Sequence, residues 1–251
     1  MNGEARKVVV LGATKGMGRA LSRLFAERGD RLFLLGRDAE ELNRSAADLG
    51  VRSPQAGAVG TAVCDLEDPS TFEPALDAAD AALGGFDTVI VTGGLFATQD
   101  ELERDPLFTH RLLNANFAGT VLFCECGRKR LLARGGGTLV AFSSVAGERG
   151  RKPVVLYGAS KAGLTRYLEG LDHRYRGAGL VTVCVKPGFV KTGMTAGLQP
   201  PPFAGEPDAV ARTVMKGILR GSPVVYAPPI WALIMLVIRW LPRAVMRKIG
   251  F

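Results

Sequence analysis

The sequence predicts an α/β fold in which a doubly wound parallel sheet of about seven strands carries helices on both faces, and three observations support that expectation. Stretches of strand length alternate with amphipathic stretches of helix length along the whole chain, the pattern of right-handed βαβ units. The strand-length stretches are near-continuous in Val, Leu and Ile, as strands buried on both faces are. No Pro/Gly/Ser-rich linker and no internal repeat interrupts the 251 residues, so one domain over 1–251 is expected.

Taken in order, strands are predicted over 7–11, 31–35, 58–64, 88–91, 138–142, 180–185 and 224–226. Helices are predicted over 17–28, 38–49, 69–83, 101–133, 154–176 and 206–220. In such a sheet ligands bind beyond the carboxyl ends of the strands, where the strand order reverses. The first strand runs directly into Gly12-Ala13-Thr14-Lys15-Gly16-Met17-Gly18, which opens the first helix. A glycine-rich strand-to-helix turn lets the backbone approach a pyrophosphate, whose charge then rests on the free N–H groups of the helix. The spacing is G-x-x-x-G-x-G, and its context is that of a Rossmann-type nucleotide site. The second strand ends in Gly36-Arg37. An acidic side chain there would bind the adenosine ribose of NAD, whereas Arg37, helped by Lys15, suits the 2′-phosphate of NADP(H). NADP(H) is therefore expected in preference to NAD(H).

Tyr157-Gly-Ala-Ser-Lys161 falls on a predicted helix, so the phenol and the ammonium share a face one turn apart. A free tyrosine titrates too high for proton transfer at neutrality, and a neighbouring ammonium favours its phenolate. On this reading Lys161 keeps Tyr157 acidic and has donors left for ribose hydroxyls. Ser143-Ser144 ends the fifth strand, where a hydroxyl can hold a substrate carbonyl for hydride attack.

With these motifs the chain resembles the short-chain dehydrogenase/reductase family over essentially its whole length. The resemblance implies Ser144, Tyr157 and Lys161 as catalytic residues, with Asn116 of Asn116-Phe-Ala-Gly119 supporting a proton-relay water. It implies adenine contacts from Asp65 and Leu66. It also implies a nicotinamide-holding turn at Pro187-Gly188-Phe189-Val190-Lys191-Thr192, in which Pro187, Gly188, Val190 and Thr192 meet the cofactor. A homodimer or homotetramer built on 101–133 and 154–176 is implied as well. Two positions depart from the family pattern: Leu11 replaces a threonine, and Val91-Thr92-Gly93-Gly94 replaces Asn-Asn-Ala-Gly. Gly93 and Gly94 still allow close approach of a cofactor, and local repacking is expected around the missing asparagines.

Composition narrows the setting. Apolar residues make up 47% and charged residues 22%, as in an ordinary soluble protein. The N-terminus enters the first strand without a leader-like stretch, and a cytoplasmic location is the expectation. Cys64, Cys124, Cys126 and Cys184 lack zinc or thioredoxin spacing, which favours packing over redox chemistry; no metal site is predicted. The net charge of +8 comes from the C-terminal end, because no acidic residue follows Asp208 while seven basic ones do. The segment 228–251 reads as a basic, apolar helical tail. Its run from Ile230 to Ile238 is too short to span a bilayer, and Pro242 should kink or restart the helix. Arg239, Arg243 and Arg247 recur every four residues, giving a basic edge beside an apolar face.

Two readings of 230–248 stand side by side: contact with the inner face of a membrane or a lipid phosphate, or closure of the substrate pocket and packing on a sister subunit. Nucleic-acid binding is excluded by the aliphatic content. The segments Ser143-Ser-Val-Ala-Gly-Glu-Arg149, Tyr157–Leu164, Lys186–Met194 and the tail also resemble the decaprenylphosphoryl-2-keto-pentose reductases. That resemblance implies reduction of a keto group on a polyprenyl-phosphate-linked sugar or another lipidic substrate. The alternative within the family is a soluble carbonyl or 3-oxoacyl reductase, and outside enzymes a non-catalytic NADP sensor.

Overall fold

The computed structural model describes residues 4–54 and 59–249. Seven parallel strands form one sheet: β1 (Lys7–Leu11), β2 (Arg31–Gly36), β3 (Gly60–Val63), β4 (Thr88–Val91), β5 (Gly137–Phe142), β6 (Leu180–Pro187) and β7 (Val224–Ala227), in the order β3-β2-β1-β4-β5-β6-β7. The chain winds outward from β1 to β3, returns to β4 on the other side of β1, and winds outward again. The reversal therefore lies between β1 and β4, which pair from Val8↔Thr88 to Leu11↔Val91.

Period-two geometry explains the continuous apolar strands. Val8 and Val10 face a core containing Leu21, Phe25, Leu42, Val214 and Ile218. Val9 and Leu11 face the opposite core, with Phe72, Leu76, Phe123 and Leu164. The first layer is covered by α1 (Gly16–Arg28), α2 (Ala39–Arg52) and α8 (Pro207–Arg220). The second is covered by α3 (Phe72–Leu83), α6 (Thr120–Ala133) and α7 (Val155–Tyr175). Local signals set the helix starts. Asp38 accepts hydrogen bonds from the Glu40 and Glu41 amides at 3.0 Å to cap α2, and Pro207 occupies the first turn of α8.

Three sequence expectations need correction. The helix expected over 101–133 is four pieces: α4 (Gln99–Arg104), α5 (Pro106–Leu113), a π-helical turn (Asn114–Gly119) and α6. Pro106 has no N–H to continue α4, and Asp105 caps a new helix by accepting from the Phe108 amide at 2.9 Å. The strand expected over 58–64 is observed over Gly60–Val63, residue 58 lying outside the described residues. It is an edge strand paired only with β2, so its faces are partly exposed rather than buried. The basic edge expected from Arg239, Arg243 and Arg247 is divided, because the tail breaks into α9 (Ile230–Trp240) and α10 (Arg243–Met246) around Leu241-Pro242: Arg239 turns to Glu148, while Arg243 and Arg247 line one cleft. Pro242 restarts the helix as expected. Among the described residues no helix is long and apolar enough to cross a membrane.

Candidate active site

The turn after β1 sits at the strand reversal. Gly12 has φ +92°, and a Cβ on Gly18 would lie 2.1 Å from the Gly12 carbonyl oxygen, so neither position accepts a side chain without moving the backbone. Thr92, directly after β4, donates its hydroxyl to the carbonyls of Gly12 (3.0 Å) and Leu11 (3.2 Å). Thr92 thus ties the β4 end to the glycine turn at the position where the sequence lacks the family's asparagines. Gly12, Thr14, Lys15, Arg37, Asp65, Leu66, Gly93 and Gly94 line one cleft of about 230 Å³. Gly16 faces the Thr192 methyl, which a Cβ there would approach to 3.4 Å; Met17 and Gly18 continue the first turn of α1. Lys15 is exposed. Arg37 is not open to solvent on all sides: its guanidinium lies 3.3 Å from Glu67, which is also held by Arg111 at 2.7 Å. The Arg111 hydrogen bond holds the Glu67 carboxyl below its usual range. The bare backbone of the turn, the helix N-terminus behind it and the cations at the rim fit a dinucleotide phosphate.

Ser144, Tyr157, Lys161 and Asn116 come together at the carboxyl ends of β4 and β5. Ser144 caps a short 3₁₀ turn through its hydroxyl, which accepts from the Ala146 amide at 3.1 Å, and it is close enough to the Tyr157 phenol to act on its proton. Tyr157 is half-buried, with Phe96 edge-on to its ring at 5.0 Å. Lys161 is buried and donates to the Phe142 carbonyl at 2.9 Å, its ammonium 5.8 Å from the Tyr157 ring centre. Ser143 fixes the helix to the strand by donating to the Lys161 carbonyl at 2.8 Å. Asn116, fully buried in the π-helical turn, pairs both amide atoms with Leu95, accepting from its N–H at 2.7 Å and donating to its carbonyl at 2.8 Å. A Cβ on Gly94 would lie 2.9 Å from Asn116 Oδ1 and 3.6 Å from Lys161 Nζ.

The electrostatics differ from the sequence expectation. Burial pushes the Tyr157 phenol up to about 12, against a downward pull from the Ser144 hydrogen bond and the Arg151 charge. Lys161 is not what draws it down. Its ammonium is itself desolvated and pushed to about 8, and it is committed to a backbone carbonyl. Asn116 gives one N–H and one lone pair of its amide to Leu95, which leaves one of each.

The turn 187–192 closes the site from the β6 side. Val190 is buried and bridges to Gly205, and the Thr195 hydroxyl accepts from the Thr192 amide at 3.1 Å. Gly188 leaves room for Trp231 of α9, whose indole nitrogen would stand 2.0 Å from a Cβ there. Trp231, Met235 and Ile238 pack on Val145, next to Ser144. The loop after β5 is also tied to the tail. Glu148 is buried and forms ion pairs with Lys186 and, at 3.4 Å, with Arg239, and it accepts from the Tyr226 hydroxyl at 3.2 Å. Arg149 donates to the Leu241 carbonyl and Lys152 to the Arg247 carbonyl, each at 2.7 Å.

Thr92, Phe96, Arg151, Glu148 and Trp231 were not among the residues singled out from sequence. Lys186 was the partial signal for Glu148, since a lysine closing an apolar strand is stabilised by a nearby carboxylate.

The chain matches the short chain dehydrogenase family model over residues 6–202. It is 32% identical over 246 residues to an uncharacterized oxidoreductase of Mycobacterium tuberculosis, covering 97% of both chains. It is 30% identical over 236 residues to carbonyl reductase family member 4 of Danio rerio, covering 88% of this chain and 93% of that one. The structure of levodione reductase superposes with a TM-score of 0.79 at 24% identity, over 88% of this chain and 95% of that chain, a likeness that concerns the fold. The chain belongs to the short-chain dehydrogenase family and is accordingly an NAD(P)-dependent oxidoreductase.

Proposed function

We propose that the chain is a single-domain reductase that uses NADPH to convert a ketone to an alcohol at Ser144, Tyr157 and Lys161. The observation that carries the reading is the closeness of Ser144 to the Tyr157 phenol, with Lys161 one helical turn further on. When bound, the nicotinamide supplies the hydride. Tyr157, with its phenol at about 12, stays protonated at neutral pH and is suited to give its proton to the carbonyl oxygen as negative charge develops there. Ser144 donates a hydrogen bond to that oxygen and fixes its distance from the phenol. Lys161 spends one donor on Phe142, which leaves two for ribose hydroxyls. Asn116 acts by positioning: its pairing with Leu95 fixes the loop that carries Gly94. Arg37 and Lys15 favour the 2′-phosphate, and Asp65, Leu66, Gly188 and Thr192 complete the cofactor cleft.

The test is NADPH oxidation against simple ketones, acyl ketones and a lipid-linked ketosugar. Tyr157→Phe should lower turnover by about a hundredfold to ten-thousandfold while NADPH still binds, read by fluorescence titration. Turnover within threefold of the native enzyme would remove Tyr157 from the reaction. A non-catalytic sensor would turn over none of these substrates.

A lipidic substrate is favoured by one further observation. The outer face of α9 exposes Leu233, Leu236, Val237 and Trp240, the last at 81% of its surface, with basic residues beyond it. Such a face suits a membrane interface at the cytoplasmic side and agrees with the resemblance to polyprenyl-phosphate-linked ketosugar reductases. Co-sedimentation with anionic vesicles tests it, and protein that stays in the supernatant at low salt leaves the soluble carbonyl reductase as the reading.

A further inference from the structure

Between the loop after β5 and the tail lies a second cleft, of about 480 Å³, lined by Arg149, Arg151, Lys152, Val155, Arg243 and Arg247 among others. Five of these side chains are cationic, and none of the lining residues is acidic. The nearest carboxylate in sequence, Glu148, is buried and taken up by Lys186, Tyr226 and Arg239. Among the described residues no carboxylate pairs with Arg149, Lys152, Arg243 or Arg247. Elsewhere on this molecule arginines find acids readily: Arg23, Arg44, Arg52, Arg111, Arg128 and Arg130 all do. Gathering five like charges around one concavity costs electrostatic energy that an anion would relieve.

The loop that lines this cleft also joins the candidate catalytic residues. Residues 149–152 connect Ser144 to the helix that bears Tyr157, and Val155 lies in the first turn of that helix. Arg151 lines the cleft and is close enough for its charge to act on the Tyr157 phenol. Arg149 and Lys152 each spend a donor on a carbonyl of the tail, which holds Arg243 and Arg247 opposite them. Arginines present a planar fork matched to phosphate oxygens, and four of the five cations are arginines.

We propose that this cleft is a phosphate subsite, which holds a phosphate mono- or diester group of the substrate while the keto group lies at Ser144 and Tyr157. Its role as a substrate subsite rests on the ketone-reductase reading, whereas anion binding in the cleft does not. The phosphate can come from a soluble phosphorylated ketone or from a lipid phosphate at a membrane, and both would place the same oxygens against the same guanidinium groups.

The experiment uses the full chain and needs no turnover. Inorganic phosphate binding is followed by calorimetry, and binding to phosphatidylcholine vesicles with and without farnesyl phosphate by co-sedimentation. The native protein is compared with Arg243→Glu/Arg247→Glu and with the milder Arg243→Ala/Arg247→Ala. Thermal unfolding establishes that each variant is folded; Arg243 opens a short helix, Arg247 follows its last residue, and both are exposed. The expected result is binding of at least one probe, weakened tenfold or more by the charge reversals and less by the alanines. Phosphate binding alone assigns the subsite to a soluble substrate, and binding that requires farnesyl phosphate in the vesicle assigns it to a lipid. Failure of both probes, or variants that bind like the native protein, overturns the proposal. Phosphate binding by a protein that reduces no ketone would count against the reductase reading and leave the anion site standing.

Discussion

At the scale of single residues, the proposed choice of NADPH rests on Arg37. Its guanidinium is half exposed and shares Glu67 with Arg111. Exposed pairs of this kind hold a side chain by about 0–1 kcal/mol, so Arg37 can turn to a 2′-phosphate at little cost while Arg111 keeps Glu67 neutralised. Arg37→Asp should weaken NADPH about tenfold or more, the worth of one charge-assisted contact, and change NADH binding little. Equal losses in fluorescence titrations of the two cofactors would remove the preference for NADPH. The Tyr157/Lys161 spacing was legible because helical periodicity alone puts residues i and i+4 on one face. The partners of Arg37 and Tyr157 were not: Glu67 is thirty residues from Arg37, and Phe96 lies sixty-one residues before Tyr157.

At the scale of elements, apolar runs revealed the strands and amphipathic stretches most of the helices, but the stretch 101–133 concealed a break. Asp105-Pro106 was the local signal for it. The π-helical turn that swings Asn116 towards Leu95 and Gly94 depends on what packs around it. The tail offers a second example. Its amphipathic pattern is plain in the sequence, yet only folding shows that Glu148 joins it to the catalytic loop through Arg239, Lys186 and Tyr226. Removing one partner from a buried ion pair costs about 3–5 kcal/mol, because the other charge stays behind. Glu148→Gln should therefore lower the Tm by roughly 6–20 °C for a chain of this size. Adding Lys186→Met should recover much of that loss in thermal unfolding. A Tm within 2 °C of the native value for the single variant would mean that solvent reaches Lys186.

For the whole molecule, Lys161 couples stability to pH. Folding lowers its ammonium from the ordinary 10.5 to about 8, because burial disfavours the charge. Between those values the unfolded chain binds the extra proton, so stability rises with pH across that window. Tyr157 acts in the opposite sense only above its ordinary value of 10.0. In denaturant unfolding from pH 8 to 10 the native protein should gain on the order of 2–3 kcal/mol relative to Lys161→Met. Other groups titrate alike in both proteins and cancel; a constant difference would mean that Lys161 is hydrated. The active site thus carries a stability cost at neutral pH, as sites that bury a charge for chemistry do. A homodimer or homotetramer across α6 and α7 is expected at the same scale; light scattering that gives a monomer at micromolar concentration would exclude it.

The sequence by itself determined the parallel sheet, the glycine-rich turn after the first strand, and the placing of Tyr157 and Lys161 on one helix face. Each follows from a short-range rule: period-two burial, glycine at a tight turn, or two residues one helical turn apart. Tertiary structure alone decided that burial outweighs the pull of Ser144 and Arg151 on the Tyr157 proton, that Asn116 pairs with Leu95, and that Arg149, Arg151, Lys152, Arg243 and Arg247 share one cleft. Those outcomes depend on which distant segments meet and how much water they exclude, and desolvation and charge pairing across such contacts have no counterpart in residue spacing.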